Sequence, residues 1–92
     1  MSKLEKISRL EPGLVDKEHF SLLISISSIR SGKVIYALED YFVNGGKRKA
    51  ICERHNVNLG YFSLKIKEVQ NINLIVYKTL PFYINSLMNL KS

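Results

Sequence analysis

The sequence predicts an all-α fold, a compact bundle of about five short helices with a helix-turn-helix at its centre. Three observations predict it. Apolar residues recur at three- and four-residue intervals along most of the chain. Ser31-Gly32, Asn44-Gly45-Gly46 and Asn56-Val57 punctuate those runs where helices begin and end. Between Arg48 and Ile66, a small residue, a turn residue and apolar anchors follow in the order that two closely crossing helices require.

A chain of 92 residues has room for one domain with a modest core. We divide it into a flexible lead-in over residues 1–13, a helical domain over 14–84, and a frayed tail over 85–92. Pro12-Gly13 closes the lead-in as a turn signal. Asp16 is placed to cap a first helix running to about Ile29, with Leu22, Ile26 and Ile29 on its buried face and Phe20, Leu23 and Ile24 beside them. Ser21, Ser25 and Ser28 line the opposite face. The local alternation Ile24-Ser25-Ile26-Ser27 also suits a strand. Ser31 caps a second helix through Val43, whose seam is Val34, Leu38 and Tyr41, with Ile35 and Phe42 adjacent. A third helix runs from Lys47 to His55 and a fourth from about Asn58 to Gln70. Asn71 or Asn73 caps a fifth, which Pro81 stops or kinks.

Charge points to the class of partner. The net charge is +6, and between Asn44 and Lys67 lie Lys47, Arg48, Lys49, Arg54, Lys65 and Lys67 against Glu53 alone, so five of the six net charges fall in this stretch. A focused basic segment favours a polyanion, foremost double-stranded DNA. The single cysteine, Cys52, excludes an intramolecular disulfide and a cysteine-built metal site. The first dozen residues lack the apolar core of a secretory signal, so the cytoplasm is the expected compartment. No membrane, metal, cofactor or small-molecule ligand is expected. Neither is an enzyme, because paired carboxylates, a glycine-rich phosphate loop and a nucleophile beside a base are all missing from the sequence. The two histidines, His19 and His55, read as fillers of helix faces.

The helix-turn-helix expectation rests on a definite core. Cys52 is the small residue at the crossing, Asn56 tolerates the left-handed turn, and Val57 is the buried residue of that turn. Phe62 and Ile66 anchor the second helix, and Ile51 completes the contact from the first. A helical wheel then turns Gly60, Ser63, Leu64 and Lys67 outward, flanked by Tyr61 and Lys65. In such a motif the second helix enters the major groove. There Asn58 and Ser63 suit base edges, Leu64 a thymine methyl, and Lys65 and Lys67 phosphates; Gly60 allows close approach. Lys47, Arg48 and Lys49 are locally unfavourable in a first helical turn, and a bound phosphate reverses that penalty. Each of these lysines also has the ordinary alternative of a solvated surface role.

Ile72, Ile75, Val76, Leu80 and Tyr83 exceed what five short helices can bury and are the expected oligomerisation surface. The alternative is a final helix folded back on its own core. The rival function is a small basic protein–protein interaction module, an adaptor without specific DNA binding.

The chain also resembles a known family. His19-Phe20, Leu22-Leu23-Ile24, Ile26-Ser27-Ser28-Ile29, Lys33-Val34-Ile35, Ala37-Leu38, Asp40-Tyr41, Arg48-Lys49, Cys52-Glu53 and Gly60-Tyr61-Phe62-Ser63 are similar to the PapB-type regulators of bacterial fimbrial (adhesin) operons. The likeness runs from about Pro12 to Tyr83, 72 of 92 residues. It implies a cytoplasmic transcription regulator of a fimbrial gene cluster, helical and oligomeric, on A/T-rich DNA. Arg48, Lys49, Cys52 and the run from Gly60 to Ser63 carry over as the DNA-binding segment. Lys47 departs from the pattern, which more often has a serine or similar cap there.

Overall fold

The computed structural model describes residues 8–90, and among them every regular element is helical. Four helices lie wholly within the described residues: α1 (Lys17–Ile26), α2 (Gly32–Phe42), α3 (Arg48–His55) and α4 (Leu59–Leu90). Two of the expected caps form. The Asp16 carboxylate accepts from the Glu18 and His19 amides at 2.8 and 3.4 Å, and the Ser31 hydroxyl accepts from the Val34 amide at 3.5 Å. Each satisfies donors that the first helical turn leaves without a partner.

α1 ends three residues earlier than expected, because Ser27 folds back. Its hydroxyl donates to the Ile24 carbonyl at 2.7 Å and accepts from the Ile29 amide at 3.1 Å. The buried face of α1 also differs: Phe20 and Leu23 are buried, whereas Leu22 and Ile26 face solvent. A helix this short buries one narrow stripe, and Phe20, the bulkiest residue on it, decides which.

α2 packs against α1, α3 and α4, and α4 also packs against α1 and α3. The core is assembled from Phe20, Leu38, Phe42, Ile51, Phe62 and Val69, all essentially inaccessible to solvent. Tyr41 sets its ring edge-to-face with both Phe42 and Phe62, at centroid distances of 5.0 and 6.0 Å, and so joins α2 to α4.

The expected fourth and fifth helices are one. α4 runs 32 residues without a break at Asn71 or Asn73, and Pro81 lies inside it. Proline supplies no N–H to the preceding turn, but here that turn is exposed and water can satisfy the carbonyl. At 1.5 Å per residue α4 is about 48 Å long, close to the longest dimension of the molecule, 54 Å. Its second half therefore extends past the core, and the residues expected to form a frayed tail are helical as far as Leu90.

Residues 8–13, placed in the expected lead-in, pack against the domain; residues 1–7 and 91–92 lie outside the described residues. The Gln70 side chain donates to the Leu10 carbonyl at 2.8 Å and accepts from the Leu10 amide at 2.9 Å, as a neighbouring strand would. Asn73, buried in mid-helix rather than capping one, donates to the Ser8 carbonyl. Gly13 and Val15 then donate to the Phe42 carbonyl at 2.9 and 3.1 Å, occupying the C-terminal end of α2. Gly13 and Gly45 both have positive φ, and a Cβ on Gly13 would stand 3.0 Å from the Gly45 Cα, so the two loops cross where only glycine fits.

Candidate nucleic-acid interface

α3 and α4 are joined by a left-handed residue. Asn56 has φ 55° and ψ 50°, and its amide donates to the Cys52 carbonyl to close α3. Val57 follows as a buried residue, and Ile51, Cys52, Phe62 and Ile66 are buried around it. Of the six residues expected to shape the crossing, five are buried and Asn56 takes the left-handed turn. Burial also raises the Cys52 thiol above its ordinary pKa, which keeps it protonated and unreactive.

The opposite side of this helix pair is open to solvent. Lys47, Arg48 and Lys49 are exposed at the start of α3, where neither a side-chain cap nor an acidic residue offsets them. Gly60, Tyr61, Leu64 and Lys67 are exposed on α4, and Ser63 is half-buried. Arg48 bridges the two groups. Its guanidinium donates to the Ser63 hydroxyl at 3.3 Å and to the Tyr41 hydroxyl at 3.5 Å, with its carbon 5.6 Å from the Tyr41 ring centroid. Sequence reasoning missed Tyr41 in this role. It was assigned to the core seam, and a contact across three helices leaves no periodic signal.

Besides Arg48 and Ser63, two further expected contact residues are engaged within the chain. The Asn58 carbonyl oxygen accepts from the Tyr61 amide at 3.0 Å, so Asn58 caps α4, and a Cβ on Gly60 would stand 3.3 Å from that oxygen. The signal for this was available: asparagine just ahead of a helix is a preferred cap. Lys65 turns back along α4, with its ammonium 3.5 Å from Glu68 and 5.2 Å from the Tyr61 ring centroid.

A second polar cluster fixes α3 to α2. Asp40 Oδ2 lies 2.5 Å from His55 Nε2 and accepts from Arg54 at 3.1 Å, while Oδ1 accepts from Asn44 at 2.9 Å. His55 is therefore more than a face filler. These donors, His55 foremost, hold the Asp40 carboxyl below its ordinary pKa of 3.8 against the opposing effect of burial. A lowered carboxylate pKa contributes stability above the ordinary value and loses it as pH falls through the folded one. Asp40→Asn is expected to cost about 1–2 kcal/mol near neutral pH, by urea titration. The difference from the parent should persist at pH 5 and shrink below pH 3.8. An equal difference at pH 3 would show that the carboxylate charge is not what holds α3.

Of the five residues expected to mediate self-association, Ile72 packs against the chain's own core, whereas Ile75, Val76, Leu80 and Tyr83 are exposed. Phe82, Ile84, Leu87, Met88 and Leu90 are exposed with them, and the last three fall in the stretch expected to fray, which is why sequence reasoning missed them. No described helix is long and apolar enough to cross a membrane, and no cluster of metal-ligating side chains occurs among the described residues.

Comparison with known proteins places this geometry among relatives. The pattern of the PapB family, described as adhesin biosynthesis transcription regulatory protein, matches residues 1–83. The chain is 64% identical over 69 residues to the regulatory protein FanB of Escherichia coli, which covers 75% of this chain and 70% of that protein. It is 43% identical over 76 residues to the major pilus subunit operon regulatory protein PapB of the same organism, 83% of this chain and 73% of that one. Among solved structures it is similar to Escherichia coli FocB, with a TM-score of 0.77 and 42% identity, over 85% of this chain and 89% of that one.

Proposed function

This chain belongs to the PapB family of adhesin biosynthesis transcription regulatory proteins, and from that premise we propose that it regulates a fimbrial or adhesin operon in the cytoplasm by binding A/T-rich duplex DNA cooperatively as an oligomer. α3 and the first turns of α4 act as a helix-turn-helix. Lys47, Arg48 and Lys49 each neutralise a backbone phosphate, and Ser63, Leu64 and Gly60 meet base edges, with Tyr61 beside them. Lys67 reaches the backbone directly; Lys65 does so after leaving Glu68. Asn58 serves mainly by capping the recognition helix. Self-association through the exposed half of α4 multiplies single-site affinities.

The observation that carries this reading is the Arg48–Ser63 contact. It brings Arg48 of α3 and the Ser63 hydroxyl of α4 together on one exposed surface, in the segment that holds most of the net charge. An adaptor docking an acidic protein needs the charge but not that pairing. The test is fluorescence anisotropy with an A/T-rich duplex and a G/C-rich control across a salt series. Four to six phosphate contacts per subunit predict a log–log slope of about −4 to −5. A steep slope with A/T preference and a sigmoidal isotherm supports the regulator. Absence of binding at low salt by folded protein overturns it in favour of the adaptor. Ser63→Ala is expected to change the ratio of affinities for the two duplexes with little change in slope, and an unchanged ratio removes Ser63 from the recognition surface.

A further inference from the structure

Self-association, as proposed above, leaves open which residues meet and in which direction the subunits run. From Phe62 onward the residues of one α4 stripe are spaced by four and three without a break: Ile66, Val69, Asn73, Val76, Leu80, Tyr83, Leu87 and Leu90. This is the heptad spacing of helices that wind around one another. Phe62, Ile66, Val69 and Asn73 are buried by the rest of the domain. Val76, Leu80, Tyr83, Leu87 and Leu90 continue the same stripe with 40%, 47%, 66%, 60% and 81% of their surface exposed. One stripe is thus covered over its first half and bare over its second.

Composition identifies the occupant. Lys78 is the only charged residue between residues 71 and 90. Such a helix offers an acidic or basic partner little to pair with, but it meets a copy of itself with almost no like-charge repulsion. A groove lined by Tyr77, Lys78, Leu80, Pro81, Ile84 and Asn85 flanks the stripe and meets it at Leu80.

We propose that residues 76–90 of α4 pair with the same segment of a second copy as an antiparallel two-stranded coiled coil. The direction follows from sterics. Paired helix axes lie about 8–10 Å apart. α1, α2, α3 and residues 8–13 together cover the stripe side of α4 as far as Asn73, so a parallel partner would bring its own covering elements into the same volume. An antiparallel partner places each core beyond the end of the other's helix. Tyr83 then meets its counterpart at the twofold axis and Val76 lies opposite Leu90, a contact that is self-complementary and closed. Leu87 and Leu90 belong to the interface, and Ile72 and Ile75 do not.

The inference rests on the self-association part of the proposed function and is independent of DNA, so its test contains none. Val76→Cys, Tyr83→Cys and Leu90→Cys would be made in the full chain and oxidised under dilute conditions, with the parent, whose Cys52 is buried, as control. Tyr83→Cys is expected to cross-link to itself. Val76→Cys should not, but a mixture with Leu90→Cys should give the mixed dimer. Efficient self-linking of Val76→Cys overturns the antiparallel direction while leaving self-association intact. A parent that sediments as a monomer at every concentration overturns self-association too, whatever the anisotropy shows. Leu80→Asp is expected to weaken the dimer by about 100-fold or more in sedimentation equilibrium. Phe82→Asp, on the far side of the helix, should leave it unchanged, and equal weakening by both would remove the stripe as the interface.

Discussion

Replacing Lys47, Arg48 and Lys49 together by alanine is expected to weaken DNA binding by about 100-fold near 0.1 M salt, and to reduce the log–log salt slope by about 2.7. Both numbers come from the same physics. Each cation that neutralises a phosphate releases a condensed counterion, so three lost contacts remove three such contributions. The variant should still fold, because what it loses is confined to the exposed Arg48 contacts with Ser63 and Tyr41. The three side chains are exposed, and none caps α3. Their removal also relieves repulsion with the partial positive charge at the helix start. A gain in thermal stability alongside a loss of affinity would mark these residues as placed for a ligand rather than for the fold. A slope equal to the parent's would mean that the phosphates are contacted elsewhere.

Phe62→Ala is the second large effect, and it acts on the fold. The ring is fully buried, anchors the first turn of α4, and meets Tyr41 edge-to-face at 6.0 Å. Truncation removes the transfer free energy of a phenyl ring and leaves a cavity, together about 3–5 kcal/mol. In a domain of this size each kcal/mol moves the melting temperature by about 4–8 °C, so a fall of roughly 15–30 °C is expected in a thermal melt. Leu64→Ala, two residues along the same helix but 63% exposed, should change stability by less than about 0.5 kcal/mol. If the two variants melt together, the core does not lie on the stripe through Phe62. Because Tyr41 also holds Arg48, Phe62→Ala should in addition reduce DNA affinity at temperatures where the protein remains folded.

Arg48, Tyr41 and Ser63 show why affinity and sequence preference will not separate cleanly by residue. In the free protein Arg48 is held by the Ser63 and Tyr41 hydroxyls. On the proposed function, drawing Arg48 to a phosphate would release the Ser63 hydroxyl for a base edge. Loss of either residue therefore alters what the other presents.

What the sequence determined by itself was local. The caps at Asp16 and Ser31, the left-handed turn at Asn56, the buried crossing formed by Ile51, Cys52 and Val57, and the anchors Phe62 and Ile66 each depend on a few adjacent residues or on one helical period. Steric limits and capping bonds act at that range, so those features are legible in the order of residues. The basic character of the α3–α4 segment was legible for the same reason. The tertiary structure decided the rest. Leu10 is clamped by Gln70, sixty positions away, and Asp40 gathers Arg54 and His55 from another helix. Neither pairing leaves a periodic trace. Whether Pro81 ends α4 is likewise not a property of Pro81 alone. The turn before it lies beyond the core, where water can replace the hydrogen bond that proline withholds, so the helix continues and carries its apolar stripe past the core.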